Sequence, residues 1–316
     1  MGRLERRMEC IDHSSNYRIL YVLLARICAR VCIPAECCCA SITKVVGISN
    51  IISDSKEKMK NIRKSISSLT KGDLLDIRLI IFDVDGVIVP RGTKIKQKGN
   101  NTHFNIKVIT PEITELIKNL KEHGFLINIS SGRSLTTLMD MFRPILPYIS
   151  LTFELGSATW DNGIVHQHIN SFNELKDLHF RIREEIFDCE DFKGIEPKEH
   201  IITVHCKNRI PKLENLVSQY PNLTSIWNGE AYDIVIKGIQ SKGMGVKAIS
   251  DLFKINKENI LAIGDNYNDK ELLESAGISI TCDRSRVNGD FFISKTSKGL
   301  PAKVLISKIL EVLKSL

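Results

Sequence analysis

In "RLIIFDVDGV", residues 78–87, Asp83 and Asp85 flank a single valine directly after an apolar run. A plain turn would also place acids and a glycine there, so the pair alone decides nothing. Three further polar clusters follow apolar segments or open a helix. "SSGR" (Ser130 to Arg133) comes after "FLINI", Lys242 stands in "SKGMGV", and "GDNYND" (Gly264 to Asp269) comes after "NILAI". If the chain brings them together, Asp83, Asp265 and Asp269 form a group of carboxylates that only a cation can neutralise cheaply. Oxygen donors select a hard cation, which points to Mg²⁺.

The elements that would position these clusters alternate. "IRLIIFDV" is an unbroken apolar, β-branched run and reads as a buried strand. Thr110 to Gly124 reads as a helix: Thr110 is the N-cap, Pro111 the first helical residue and Gly124 the stop, with Ile113, Leu116, Ile117 and Leu120 on one face. "FLINIS" is the next strand and "SLTTLMDMFRPI" the next helix. Later, "GMGVKAISDLFKI", "NILAIGD", "DKELLESAG", "ISITC", "FFIS" and "LPAKVLISKILEVLKSL" continue the rhythm. Such alternation predicts βαβ units and a mainly parallel sheet, whose ligand site lies beyond the carboxyl ends of the strands. Residues 157–240 break it. Short strands, two helices and a Gly-containing turn there predict a small inserted α+β module.

The four clusters in this order resemble the motifs of the haloacid dehalogenase superfamily, in its capped Cof-like and sugar-phosphatase branch. The resemblance covers nearly all of residues 77–316. It implies an α/β fold: a Rossmann-like parallel-sheet core over 72–156 and 241–316, an inserted α+β cap over 157–240, and an N-terminal extension over 1–71. It also implies a Mg²⁺-dependent phosphohydrolase acting on a small phosphorylated metabolite, most simply a sugar phosphate. Asp83 would attack phosphorus, and Asp85 would protonate the leaving oxygen and then activate water. Lys242 would neutralise charge on the phosphoryl group, and Ser131 and Gly132 would receive it. Ser130 is the alternative to Ser131, which directly precedes Gly-Arg. Asp265 and the main-chain carbonyl of Asp85 would join Asp83 at the metal, with Asp269 as a further ligand or an orienting group. Asn266 and Asn268 would brace the loop, with Asn268 near the phosphate.

Several residues keep two readings. Arg133 either binds substrate or pairs with a carboxylate. Glu196 and Lys198, in "IEPKEH", resemble the Glu-x-Lys stretch that trehalose-phosphate phosphatases turn toward the sugar; the plainer reading is a solvated turn. His166, His168 and His205 alternate with apolar residues and read as ordinary cap histidines, and Trp160 and Trp227 as packing groups. Val87 and Leu155 depart from the threonine and asparagine common in the family.

Charge and cysteine content constrain the rest. Net charge is +7, but residues 1–70 hold 12 Lys+Arg against 6 Asp+Glu, leaving 32 against 31 for the body. The near-neutral body lacks the basic stripe that nucleic-acid binding needs. Six of the nine cysteines fall before residue 40 without metal-site spacing, which suits a reducing compartment such as the cytoplasm. Residues 17–40 are apolar but interrupted by Arg18, Arg26 and Arg30. That pattern would suit a peripheral membrane helix or a targeting segment, or an extension preceding a later start at Met59. Two competing functions fit the same motifs in part: a phosphomutase of the same superfamily, and a membrane-attached binding protein with an unused catalytic core. Substrate identity and oligomeric state are not encoded in these patterns.

Overall fold

The computed structural model describes residues 64–314 except 93, 99, 100 and 295–298. The apolar arginine-containing segment 17–40, the cysteine cluster, Met59 and the first part of the linker therefore lie outside the described residues.

In chain order the strands are β1 (Lys64–Ser65), β2 (Leu79–Phe82), β3 (Lys94–Lys98), β4 (Asn101–Asn105), β5 (Leu126–Ser130), β6 (Ser150–Phe153), β7 (Ala158–Asp161), β8 (Ile164–Gln167), β9 (Phe192–Glu196), β10 (Ile202–Cys206), β11 (Leu223–Trp227), β12 (Ala231–Ile236), β13 (Ile260–Gly264), β14 (Ile278–Thr281) and β15 (Phe291–Phe292). The helices that matter here are α1 (Lys71–Leu74), α2 (Pro111–Glu122), α3 (Leu135–Phe142), α4 (Phe172–Glu185), α5 (Pro211–Ser218), α6 (Lys242–Phe253), α7 (Lys270–Glu274) and α8 (Pro301–Lys314).

Nine strands form one sheet in the order β1-β15-β14-β13-β2-β5-β6-β7-β8. It is parallel from β1 to β6, and β7 and β8 extend it antiparallel. Successive β2 side chains serve opposite faces, as strand geometry requires. Ile80 and Phe82 pack with α2, α3 and α8, whereas Leu79 and Ile81 pack with α6 and α7. Both faces being covered explains why β2 is apolar throughout.

A second sheet, β11-β12-β10-β9, is antiparallel. One of its faces buries Ile202, Val204, Tyr232 and Ile234 under α4 and α5.

Two expected boundaries move. The insert does not begin at 157, because β7 pairs with β6 (Leu151 opposite Trp160) and β8 pairs with β7, so this hairpin belongs to the main sheet. The main-sheet body does not begin at 72 either. β1 pairs with β15, and Ile66 and Leu69 enter the core just ahead of a Thr70–Asp73 capping box on α1. Two apolar residues diluted in a polar stretch gave no periodicity to read. The hairpin β3–β4 and strand β9 were also not expected. β3 is lysine-rich, and its strand character comes from pairing with β4 and packing beside β9.

No helix among the described residues is long and apolar enough to cross a membrane.

Candidate active site

The strand order places β13, β2 and β5 side by side, so Asp265, Asp83 and Ser131 emerge together at their carboxyl ends. Asp83 is anchored by its main-chain N–H, which donates to the Ile263 carbonyl at 3.0 Å. Lys242 arrives from the start of α6, where Ser241 is the N-cap and its hydroxyl accepts the Met244 N–H. The helix can come this close because Gly156 and Gly245 touch. A Cβ on Gly156 would lie 2.5 Å from the Ser241 carbonyl oxygen, and Gly156 has φ +82°.

Lys242 Nζ lies 2.5 Å from Asp83 Oδ1 and 2.5 Å from Asp269 Oδ1, and the lysine is 1% exposed. Burial opposes its charge, but the two carboxylates outweigh burial and hold the ammonium more firmly protonated than usual. Asp83 is pushed well above the ordinary carboxylate range, first by burial and then by Asp269, with Lys242 acting against both. Burial likewise pushes Asp265 up to about 6, against the pull of Arg91.

Asp83, Asp265 and Asp269 each offer an oxygen within 4.8 Å of the others, and all three are buried. Asp265 Oδ1 is buried and has no hydrogen-bond partner among the described residues. A hard cation fits this donor set, since it would satisfy the orphaned oxygen and relieve the carboxylates that burial and mutual repulsion disfavour. Asp269 fits the orienting role better than that of a ligand. Its Oδ2 accepts the N–H groups of Asp265 and Asn266, both at 2.9 Å, and its Oδ1 holds Lys242.

Asp85 does not join the metal cluster through its side chain. Arg133 holds both of its oxygens, with Nε to Oδ2 at 2.8 Å and Nη2 to Oδ1 at 2.7 Å. Of the two readings of Arg133, the structure shows the carboxylate pair. Ser131 and Gly132 line the cleft and Ser130 does not, which favours Ser131 for the phosphate. Asn268 lines the cleft with a buried Oδ1 that has no partner among the described residues, and Asn266 is braced by Arg286 at 2.9 Å.

The insert closes the other side of this cleft, whose volume is ≈ 110 Å³. Strand register aligns Glu196, Thr203 and Asp233 as one row across β9, β10 and β12. Lys198 donates to Thr203 Oγ1 at 2.6 Å, and that hydroxyl donates to Asp233 Oδ1 at 2.6 Å. Glu196 bonds His205 Nε2 at 3.1 Å and pairs with Lys198 at 3.4 Å. Burial alone would raise the Glu196 pKa, but Lys198, His205 and Arg133 together bring it down to about 2. Glu196 and Lys198 are therefore buried wall residues, not a solvated turn.

His205 shares that wall, beyond the ordinary cap role expected for it. Among the described residues it belongs to no potential metal cluster. His166 lies on β8 of the main sheet, and His168 follows that strand and bonds Thr159 at 3.0 Å. Trp160 packs in the core, and Trp227 stacks on Tyr232 with centroids 4.7 Å apart.

Residues 158–287 match the family model of the haloacid dehalogenase-like hydrolases. The chain carries a haloacid dehalogenase-like hydrolase region. It is 46% identical over 249 residues to a Streptococcus pyogenes protein carrying the name of a bifunctional phosphatase/peptidyl-prolyl cis-trans isomerase. That match covers 69% of this chain and 50% of the relative, so the chain spans about half the relative's length. A Bacillus subtilis 5-amino-6-(5-phospho-D-ribitylamino)uracil phosphatase is 22% identical over 229 residues, covering 65% of this chain and 84% of that protein. Among solved structures, a trehalose-6-phosphate phosphatase related protein superposes with a TM-score of 0.56 at 19% identity, covering 75% of this chain and 99% of that one. That likeness is one of fold.

The sequence reading missed Arg91, Thr203, Asp233 and Glu154. Arg91 binds Asp265 Oδ2 at 2.6 Å and lines the cleft. Glu154, buried after β6, accepts the N–H groups of Glu199, His200 and Ile201 in the insert. The family departure at Leu155 has a packing reason: its side chain contacts Ile201 and Val235, making an apolar joint between sheet and insert. Only that departure drew attention to the Glu154 position; the other three carried no local signal.

Proposed function

We propose that this protein is a Mg²⁺-dependent phosphohydrolase that releases phosphate from a small phosphorylated metabolite, most simply a sugar or polyol phosphate. The observation that carries this reading is Lys242 bridging Asp83 and Asp269 beneath a small cleft walled by the insert. When bound, the metal supplies charge neutralisation for the carboxylates and the phosphoryl group.

An Asp83 carboxylate oxygen attacks phosphorus, and the bond from phosphorus to the leaving oxygen breaks, giving an aspartyl-phosphate. Asp85 delivers a proton to that leaving oxygen. Because Arg133 occupies both Asp85 oxygens, one of those bonds opens when substrate enters. Asp85 then takes a proton from water, whose oxygen attacks phosphorus, releasing inorganic phosphate and restoring Asp83. Lys242 and the Ser131 hydroxyl stabilise charge on the phosphoryl oxygens throughout.

The row Glu196, Thr203 and Asp233, with Lys198 and His205, offers both donors and acceptors to a hydroxyl-rich leaving group. The cleft's size favours a small ester over a folded phosphoprotein. The names of the ribityl-phosphate phosphatase and the trehalose-phosphate-related protein agree with this substrate class.

The test is phosphate release by the full chain from sugar, nucleotide and two- or three-carbon phosphates, with Mg²⁺ or with EDTA. Release from a sugar or polyol phosphate that EDTA abolishes is expected. An isomerised rather than dephosphorylated product would instead identify a mutase. No turnover of any ester by folded, Mg²⁺-loaded protein would contradict the reading.

A further inference from the structure

We infer that Arg91 is a positioning residue for the metal ligand Asp265, with Lys107 fastening Arg91 in turn. The inference rests on the Mg²⁺ reading proposed above. Arg91 grips one residue at two points: Nε donates to Asp265 Oδ2 at 2.6 Å, and Nη2 donates to the Asp265 main-chain carbonyl at 2.9 Å. Binding side chain and main chain together fixes the carboxylate's rotation, which a single contact would not. The oxygen left over, Oδ1, is the buried one with no partner among the described residues. A guanidinium acting as a cation substitute would cover the vacant acceptor. This one covers the other oxygen and leaves Oδ1 free to ligate.

The pair occupies space that Gly86 keeps open. A Cβ on Gly86 would lie 1.8 Å from Asp265 Oδ2 and 2.9 Å from Arg91 Nε, so the "DGV" glycine admits the carboxylate and the arginine together. The arginine's backbone is held as well. Lys107, just beyond the β3–β4 hairpin, donates to the carbonyls of Pro90 at 2.6 Å and Arg91 at 2.7 Å. A chain of contacts thus runs from Lys107 through the Arg91 backbone and guanidinium to Asp265. Residues that orient a metal ligand in this way typically contribute about 10–100-fold to metal affinity.

The experiment is Mg²⁺ and Mn²⁺ binding to EDTA-stripped full-length protein, by calorimetry and by Mn²⁺ electron paramagnetic resonance, with Asp265→Asn as the site-knockout control. Arg91→Ala should weaken binding about 10–100-fold, and Arg91→Lys should restore part of it, since an ammonium keeps the charge but not the two-point grip. Lys107→Ala, which leaves every side chain of the site in place, should weaken binding several-fold and decides the matter if Arg91→Ala does not fold. Unchanged affinity in the Arg91 and Lys107 variants overturns the inference while leaving the metal reading intact. Tighter binding in Arg91→Ala overturns it too, and would identify the guanidinium as a competitor of the metal. Absence of any metal binding by the wild type overturns both.

Discussion

The carboxylate of Glu154, at the end of a main-sheet strand, accepts the main-chain N–H of His200 in the insert at 2.6 Å. The N–H groups of Glu199 and Ile201 point at the same carboxylate, at 3.1 and 3.3 Å. Three successive amides converging on one buried anion set where the insert sits above the sheet. The stretch they fix directly follows Lys198. Glu154→Gln keeps one carbonyl acceptor for the three amides but removes the charge and turns an N–H₂ toward the Glu199 N–H, at a cost of about 1–3 kcal/mol. The variant should unfold at lower temperature and raise KM more than it lowers kcat. Wild-type thermal stability in the variant would remove Glu154 from this role.

Lys242 compensates two buried carboxylates at once. Lys242→Met keeps most of the apolar stem but leaves Asp83 and Asp269 facing each other without a cation. Stripping one partner from a buried ion pair costs about 3–5 kcal/mol, so denaturant unfolding in EDTA should show a loss of that order. Added Mg²⁺ should recover part of the stability but little of the turnover. Full turnover by Lys242→Met would contradict the role given to the lysine.

Glu196 has a pKa of about 2 in the folded protein against an ordinary value of 4.5. A carboxylate depressed on folding contributes stability above the unfolded value, and that contribution is lost as pH falls through the folded one. Its window therefore runs from about 4.5 down to about 2. The shift corresponds to roughly 3 kcal/mol as an order of magnitude. In that window, urea unfolding of Glu196→Gln should lose stability less steeply than the wild type. Parallel slopes for the two proteins would contradict the ion-paired wall.

Lys198 and Asp233 meet through Thr203 on the insert side of the cleft, away from Asp83. Substitutions there should act on substrate recognition. Thr203→Val should raise KM for a hydroxylated phosphate ester about tenfold or more while leaving Mg²⁺ affinity unchanged. Equal loss of kcat with every ester, including simple aryl phosphates, would show that the row does not read the leaving group.

What could be read from the sequence follows from locality. Asp83, Ser131, Lys242 and Asp265 each stand at the end of an apolar strand or the start of a helix, so segment pattern and parallel-sheet topology bring them together. Thr203 and Asp233 belong to the site only because register sets Thr203 opposite Glu196 on one side and Asp233 on the other, and no spacing in the chain encodes that pairing. Arg91 follows a turn and precedes a polar hairpin whose strands show no apolar alternation, so nothing marked it. Asp269 showed as an acid in a motif, but its orienting role needed the two N–H groups seen only in the folded loop. The β7–β8 hairpin was recognisable as a strand and a turn, yet its place in the main sheet depended on an edge that only the assembled β6 provides.

The most direct test of the central claim is to trap the phosphorylated enzyme. Full-length protein with Mg²⁺ and a turned-over ester is quenched in acid, digested, and the phosphorylated residue located by mass spectrometry. An acyl-phosphate on Asp83, absent in Asp83→Asn, and accumulating in Asp85→Asn when the ester is an aryl phosphate whose leaving oxygen needs no acid, is the predicted result. Phosphate release by Asp83→Asn at the wild-type rate, or phosphate trapped on another residue, would contradict it.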